Sequence, residues 1–237
     1  YLTADEQEVT VEYNETAEVA FENIEKTGEI KVTKTTVGNI NVSGITFNLR
    51  GTSDSGRDID IPAVTDENGV AIFSEIPIGT YTIYEDEKTV PTAYLVADPQ
   101  NVTVTYAETK EVPIENKEKT GSITVHKTTE GQKNIEGIKF YLRGTSDSGR
   151  AIDIPATTDK DGIAKFDGVP IGTYMVIEDE ETVPYGYLVA DEKEVKVEYA
   201  QTIDETILNN EQTGTVKVHK KTADMTNVEG IRFILSG

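Results

Sequence analysis

Lys34, Lys127 and Lys220 recur at an interval of 93 residues (127 − 34 = 220 − 127), each at the end of the same short apolar pattern. Asn23, Asn116 and Asn209 keep that interval, and so do Glu85 and Glu178. Buried in one place, an amine, a carboxamide and a carboxyl can make a covalent bond unaided. Desolvation favours the neutral form of a buried Lys and of a buried Glu. A neutral amine is a nucleophile towards the Asn carbonyl, and a protonated Glu beside that carbonyl can shuttle protons while ammonia leaves. The product is a Lys–Asn amide inside the domain. A plainer arrangement also fits the spacing: Lys34 reaching a strand end to form an ordinary salt bridge with Glu85, with Asn116 in a turn. Glu87, also in phase, is a second candidate for the acid.

The elements that must position these groups are strands. Period-two alternation runs through the repeat. Ile30, Val32 and Lys34 share one face, as do Tyr81, Ile83 and Glu85, and Val112, Ile114 and Asn116. Lys31 falls out of phase and points to water, and its counterpart is Thr124. Lys127 follows Ile123 and Val125, Glu178 follows Tyr174 and Val176, and Asn209 follows Ile207. Three polar residues, each ending an apolar row, are costly to bury separately.

Residues 27–119 align with 120–212 without a gap at about three-fifths identity. Residues 1–26 match 94–119 and read as the closing strands of an upstream repeat; 213–237 match 120–144 and read as the opening strands of a downstream one. Asn23 and Lys220 are therefore candidates for the same bond that lack partners in this sequence. The joints EKTG (25–28), EKTG (118–121) and EQTG (211–214) are short, predicting closely coupled repeats. Several short strands with regular turn signals predict an all-β protein, a tandem of immunoglobulin-like or prealbumin-like sandwiches of about seven strands each.

Composition narrows the class. The 237 residues hold 43 acidic and 22 basic side chains, a net charge of −21, which opposes binding to nucleic acid or anionic membranes. There is no Cys, so neither disulfides nor thiolate metal sites are expected, and a small sandwich without disulfides gains from another staple. No apolar run is long enough for a bilayer helix. No cofactor or metal is implied, and no His/Ser/Asp or paired-carboxylate arrangement suggests an enzyme with turnover.

Other motifs have bland readings. RGTSDSGR (50–57, repeated at 143–150) is a ligand-reading loop or a turn-rich connection. DENG (66–69) and DKDG (159–162) carry acidic oxygens but read as hairpin turns. His126 and His219 precede the core lysines out of phase and face solvent. Tyr84, Tyr94, Tyr106, Tyr187 and Tyr199 line a carbohydrate face or pack at the rim.

The run VTKTT (32–36), GTYTIYEDE (79–87) and VPIEN (112–116), repeated as VHKTT (125–129), GTYMVIEDE (172–180), VPYGY (183–187) and ETILN (205–209), resembles Cna B-type repeats of Gram-positive surface adhesins and pilins. The resemblance covers essentially the whole chain. It implies a bond from Lys34 to Asn116 with Glu85 as catalyst, and from Lys127 to Asn209 with Glu178. PTAY (91–94), where the second repeat has PYGY (184–187), departs from the pattern at a turn outside the trio. The resemblance further implies a structural stalk segment outside the cell, on a bacterial surface. Its partners would be flanking repeats of the same chain, and a host protein or glycan would be met at a tip outside this segment. The competing expectation is a ligand-binding adhesin module that engages its target through a loop or a Tyr face.

Overall fold

A computed structural model describes residues 1–38, 42–131, 135–223 and 229–236. Its regular secondary structure is almost wholly strand, arranged as two like sandwiches.

In the first sandwich, β1 (Thr27–Thr36) lies between β4 (Val70–Pro77) and β7 (Thr109–Asn116) in a three-stranded sheet. The facing sheet runs β3 (Asp58–Val64), β2 (Thr46–Thr52), β5 (Gly79–Glu85), β6 (Gln100–Val104). The second sandwich repeats this with β8 (Thr120–Thr129) between β11 (Ile163–Pro170) and β14 (Thr202–Asn209). Against it stand β10 (Ala151–Thr157), β9 (Lys139–Ser146), β12 (Gly172–Glu178) and β13 (Lys193–Val197). Seven strands per repeat match the expectation from the sequence.

One pairing governs the rest. The first and last strands of each repeat are parallel neighbours: β1 with β7, Lys34 opposite Ile114 and Thr36 opposite Asn116, and β8 with β14, Lys127 opposite Ile207 and Thr129 opposite Asn209. Parallel neighbours need a long crossover between them, here supplied by the whole facing sheet. Each core is filled from both inner faces, by Ile30, Val32, Phe47, Leu49, Tyr81 and Ile83 in the first repeat and Ile123, Val125, Phe140, Leu142, Tyr174 and Val176 in the second. Fully buried side chains of this kind each contribute about 1.5–3 kcal/mol.

Three details differ from the sequence reading. Arg50, Gly51 and Thr52 belong to β2, and Arg143 to Ser146 belong to β9, so RGTSDSGR is strand over its first three or four residues and a tight turn over the rest. Tyr106, which alternation puts in one strand row with Val102 and Val104, sits beyond the end of β6, in a turn, and is half exposed. Among the described residues, 1–26 and 213–236 form no strand, although 94–119 and 120–144, their sequence counterparts, do. Strand backbone needs partners for its N–H and C=O groups. β7 has β1 beside it and β8 has β11 and β14, whereas the end segments have no such neighbours among the described residues.

Candidate functional site

The strand phase that carries Ile30 and Val32 into the core carries Lys34 with them, and its side chain is fully enclosed. From the facing sheet Glu85, ending the row Tyr81–Ile83, meets it, with Oε1 3.5 Å from Lys34 Nζ. Asn116, ending the row Val112–Ile114 on the neighbouring parallel strand, is wholly buried and donates from Nδ2 to Glu85 Oε2 at 2.6 Å. In the second repeat Lys127 Nζ lies 3.3 Å from Glu178 Oε1, and Asn209 Nδ2 donates to Glu178 Oε2 at 2.6 Å. Two sandwiches thus hold the same three side chains in the same contact.

Lys34 Nζ donates to Thr35 O at 2.9 Å and lies 3.4 Å from Ile114 O; Lys127 Nζ donates to Thr128 O at 2.9 Å and Ile207 O at 3.1 Å. Two carbonyl acceptors can use both N–H groups of a neutral amine and leave its lone pair free. Burial pushes the Lys34 and Lys127 amines below their ordinary range, against the opposing pull of Glu85 and Glu178.

Glu85 Oε2 accepts a second hydrogen bond, from Ala97 N–H at 2.7 Å, and Glu178 Oε2 accepts one from Ala190 N–H at 2.8 Å. The other carboxyl oxygens, Glu85 Oε1 and Glu178 Oε1, and the carbonyl oxygens Asn116 Oδ1 and Asn209 Oδ1, are buried with no hydrogen-bond partner. Such atoms are rare in folded proteins and call for an explanation.

The backbone groups that complete the site escaped the sequence reading. Leu95 O and Leu188 O accept from the Asn amides at 2.8 Å, beside the Ala97 and Ala190 amides. Tyr94 Oη and Tyr187 Oη donate to Val37 O and Glu130 O, tying this segment across the end of the lysine strand. The available signal was YLVAD, unchanged at 94–98 and 187–191.

The remaining candidates separate. Glu87 starts a one-turn 3-10 helix (Glu87–Thr89) capped by Asp86, and is exposed. Asn23 and Lys220 lie in exposed end segments. His126 pairs with Asp204 at 3.1 Å near the surface, and His219 is exposed. In DENG and DKDG, Asp66 and Asp159 spend Oδ1 on the turn amides of Asn68 and Val70, and of Asp161 and Ile163. Those hydrogen bonds hold both carboxyls below the usual carboxylate range. No cluster of three or more metal-ligating side chains occurs among the described residues. Of the tyrosines, Tyr94 is buried, Tyr106 lies under Lys26, and Tyr84 lies under Arg50, while Tyr94 and Tyr199 line one hollow. No helix among the described residues is long and apolar enough to cross a membrane.

These features define an all-β tandem-repeat protein with a prealbumin-like fold and a buried Lys–Glu–Asn trio per repeat. The model of the SpaA prealbumin-like fold domain matches residues 28–118 and 121–212, and the chain belongs to that family. Among solved structures, the Bacillus anthracis TIE protein is similar with a TM-score of 0.59 at 20% identity, over 78% of this chain and 34% of that one. This chain therefore spans about a third of that protein's length. The minor pilin GBS52 of Streptococcus agalactiae (TM-score 0.38, 18% identity, 82% of this chain and 100% of that one) also matches, more loosely. So does the shaft pilin SpaA of Lactobacillus rhamnosus GG (TM-score 0.34, 18% identity, 81% and 100%). No curated protein matches the sequence.

Proposed function

We propose that this chain is a stalk segment of a Gram-positive cell-surface adhesin or fibre, and that each repeat closes itself with an intramolecular isopeptide bond, Lys34 to Asn116 and Lys127 to Asn209. Glu85 and Glu178 act as the catalysts. The repeat boundaries follow 27–119 and 120–212, with 1–26 and 213–237 belonging to neighbouring repeats. Of the last segment, 224–228 and 237 lie outside the described residues.

The observation that carries this reading is the carboxyl of Glu85 lying between the amine and the leaving nitrogen, with Oε1 towards Lys34 and Oε2 towards Asn116 Nδ2. The neutral amine attacks Asn116 Cγ. The carboxyl takes a proton from the attacking nitrogen at one oxygen and gives one to the departing nitrogen at the other. The Cγ–Nδ2 bond breaks, ammonia leaves, and the carboxyl returns to its starting state. The reaction happens once per repeat, without turnover or cofactor.

The bond would join the first and last strands, which lie side by side in parallel, so tension entering at one end of a repeat would leave at the other through one covalent path. The 81 residues between (35–115) would be shielded from load. Treated like a disulfide closing a loop of that length, the bond contributes about 4–5 kcal/mol. A staple that reductants cannot cut suits a Cys-free chain exposed outside the cell.

The test is the intact mass of the denatured chain. Two bonds give a deficit of ~34 Da, two ammonia molecules, and Glu85→Ala with Glu178→Ala abolishes it. Full calculated mass in the unmutated chain would sink the cross-link.

A further inference from the structure

We propose that the turn ending RGTSDSGR is a docking clamp for the glutamate of the joint that precedes each repeat, fixing the angle between consecutive repeats. Glu118 sits in the joint between the two sandwiches. Its backbone belongs to the upstream repeat: it bridges Tyr94, and beside it Lys119 N donates to Ala93 O and Leu95 N to Lys117 O, both at 2.8 Å. Its side chain belongs to the downstream repeat. Oε1 accepts from Ser148 Oγ, and Oε2 meets Arg150 Nη2 at 2.8 Å. The carboxylate is 5% exposed, with both oxygens engaged.

The first joint repeats the grip. Glu25 Oε1 accepts from Ser55 Oγ, and Oε2 from Arg57 Nη1 at 2.9 Å.

The motif is built for this task. Ser53 Oγ lies 2.7 Å from Ser55 Oγ and accepts from Arg57 N–H at 2.9 Å; Ser146, Ser148 and Arg150 do the same at 2.7 and 3.0 Å. The first serine shapes the turn, and the second serine and the last arginine hold the carboxylate. The other joint residues also serve docking. Lys26 Nζ stands 5.6 Å from the Tyr106 ring centroid. Gly28 and Gly121 let the chain pass against the turn that follows: an added Cβ would lie 2.3 Å from Thr105 O in one and 2.4 Å from Glu198 O in the other.

Domains joined by a short linker move relative to each other unless their contact is large. Here a small contact suffices, because swinging the repeats apart strips both oxygens of charge-assisted hydrogen bonds at once.

The test uses the full chain, which has no Cys of its own. Spin labels on Glu67→Cys and Lys160→Cys mark the same exposed turn in each repeat, and pulsed dipolar spectroscopy reads the distance distribution between them. The unmutated joint gives one narrow distribution. Glu118→Ala and Arg150→Ala widen it about twofold or more, while each repeat keeps its own thermal transition. Arg143→Ala removes the other arginine of the motif, which pairs with Asp153 on the surface, and leaves the width unchanged. Should Arg150→Ala weaken the second repeat, Ser148→Ala and Glu118→Gln loosen the grip more gently and still widen the distribution. An unchanged width in Glu118→Ala, or equal broadening in Arg143→Ala, would overturn the clamp.

Discussion

The carbonyl of Leu95 decides which way the Asn116 carboxamide faces. That oxygen can only accept, so the amide nitrogen must turn towards it, and Nδ2 sits 2.8 Å away. The same nitrogen then lies against Glu85 Oε2, which Ala97 N–H also holds in place as an acceptor. One backbone carbonyl and one backbone amide, two residues apart, thus orient both the Asn116 carboxamide and the Glu85 carboxyl.

Glu85→Gln should separate this positioning from proton transfer. The Gln carbonyl can still accept from Ala97 N–H, so the fold persists, but the side chain no longer carries protons. The expected mass deficit falls from ~34 to ~17 Da, with the second repeat still closed. A deficit that stays at ~34 Da would show that the acid is dispensable.

Asn116→Ala leaves Lys34 with no carbonyl to attack and opens the first repeat. Denaturant unfolding should show that repeat losing about 4–5 kcal/mol, the estimate for reopening a loop of this length. The second repeat, with its own trio, should keep its midpoint.

Glu178→Gln gives the second repeat an unreacted Lys127 and removes the group that opposes the effect of burial on its amine. The folded amine then titrates below its ordinary 10.5. Below the folded value both states are protonated and the penalty of burying charge is carried in full. Above the unfolded value both are neutral and it is gone. Between the two the unfolded state binds more protons, so stability rises with pH. Urea midpoints of this variant should climb as the pH rises towards the ordinary lysine value of 10.5, and adding Lys127→Met should flatten the climb.

Pulling the chain from its two ends in a single-molecule instrument gives a mechanical check. If both bonds form, neither 82-residue interval can extend. The trace then lacks the two steps of about 280 Å that open repeats would release. In the doubly substituted Glu85→Ala, Glu178→Ala chain, both steps should appear.

The strand phase was enough to place Lys34, Glu85 and Asn116 on inner faces, because a period of two leaves each residue only one side to occupy. It also carried the seven-strand count, although Asp58–Val64 was hidden beside a motif that looked like loop. The meeting of the three side chains depends on β1 lying beside β7, a pairing of residues about 80 positions apart that alternation does not encode. Leu95 and Ala97 act through backbone groups, which any residue carries, so their side chains gave no sign. RGTSDSGR was legible as a recurring motif but not as a clamp, since its partner Glu118 precedes it by some thirty residues in a joint that looked like mere connection.

The parallel placement of the first and last strands has a further consequence for how such a chain can grow. Because each repeat begins and ends on adjacent strands pointing the same way, the chain leaves each copy in the direction in which it entered. A duplicated stretch of coding sequence, cut anywhere at the 93-residue period, would insert a working unit without redesigning its neighbours. Reach could then be adjusted by recombination alone, one copy at a time, while the chemistry inside each unit stayed the same.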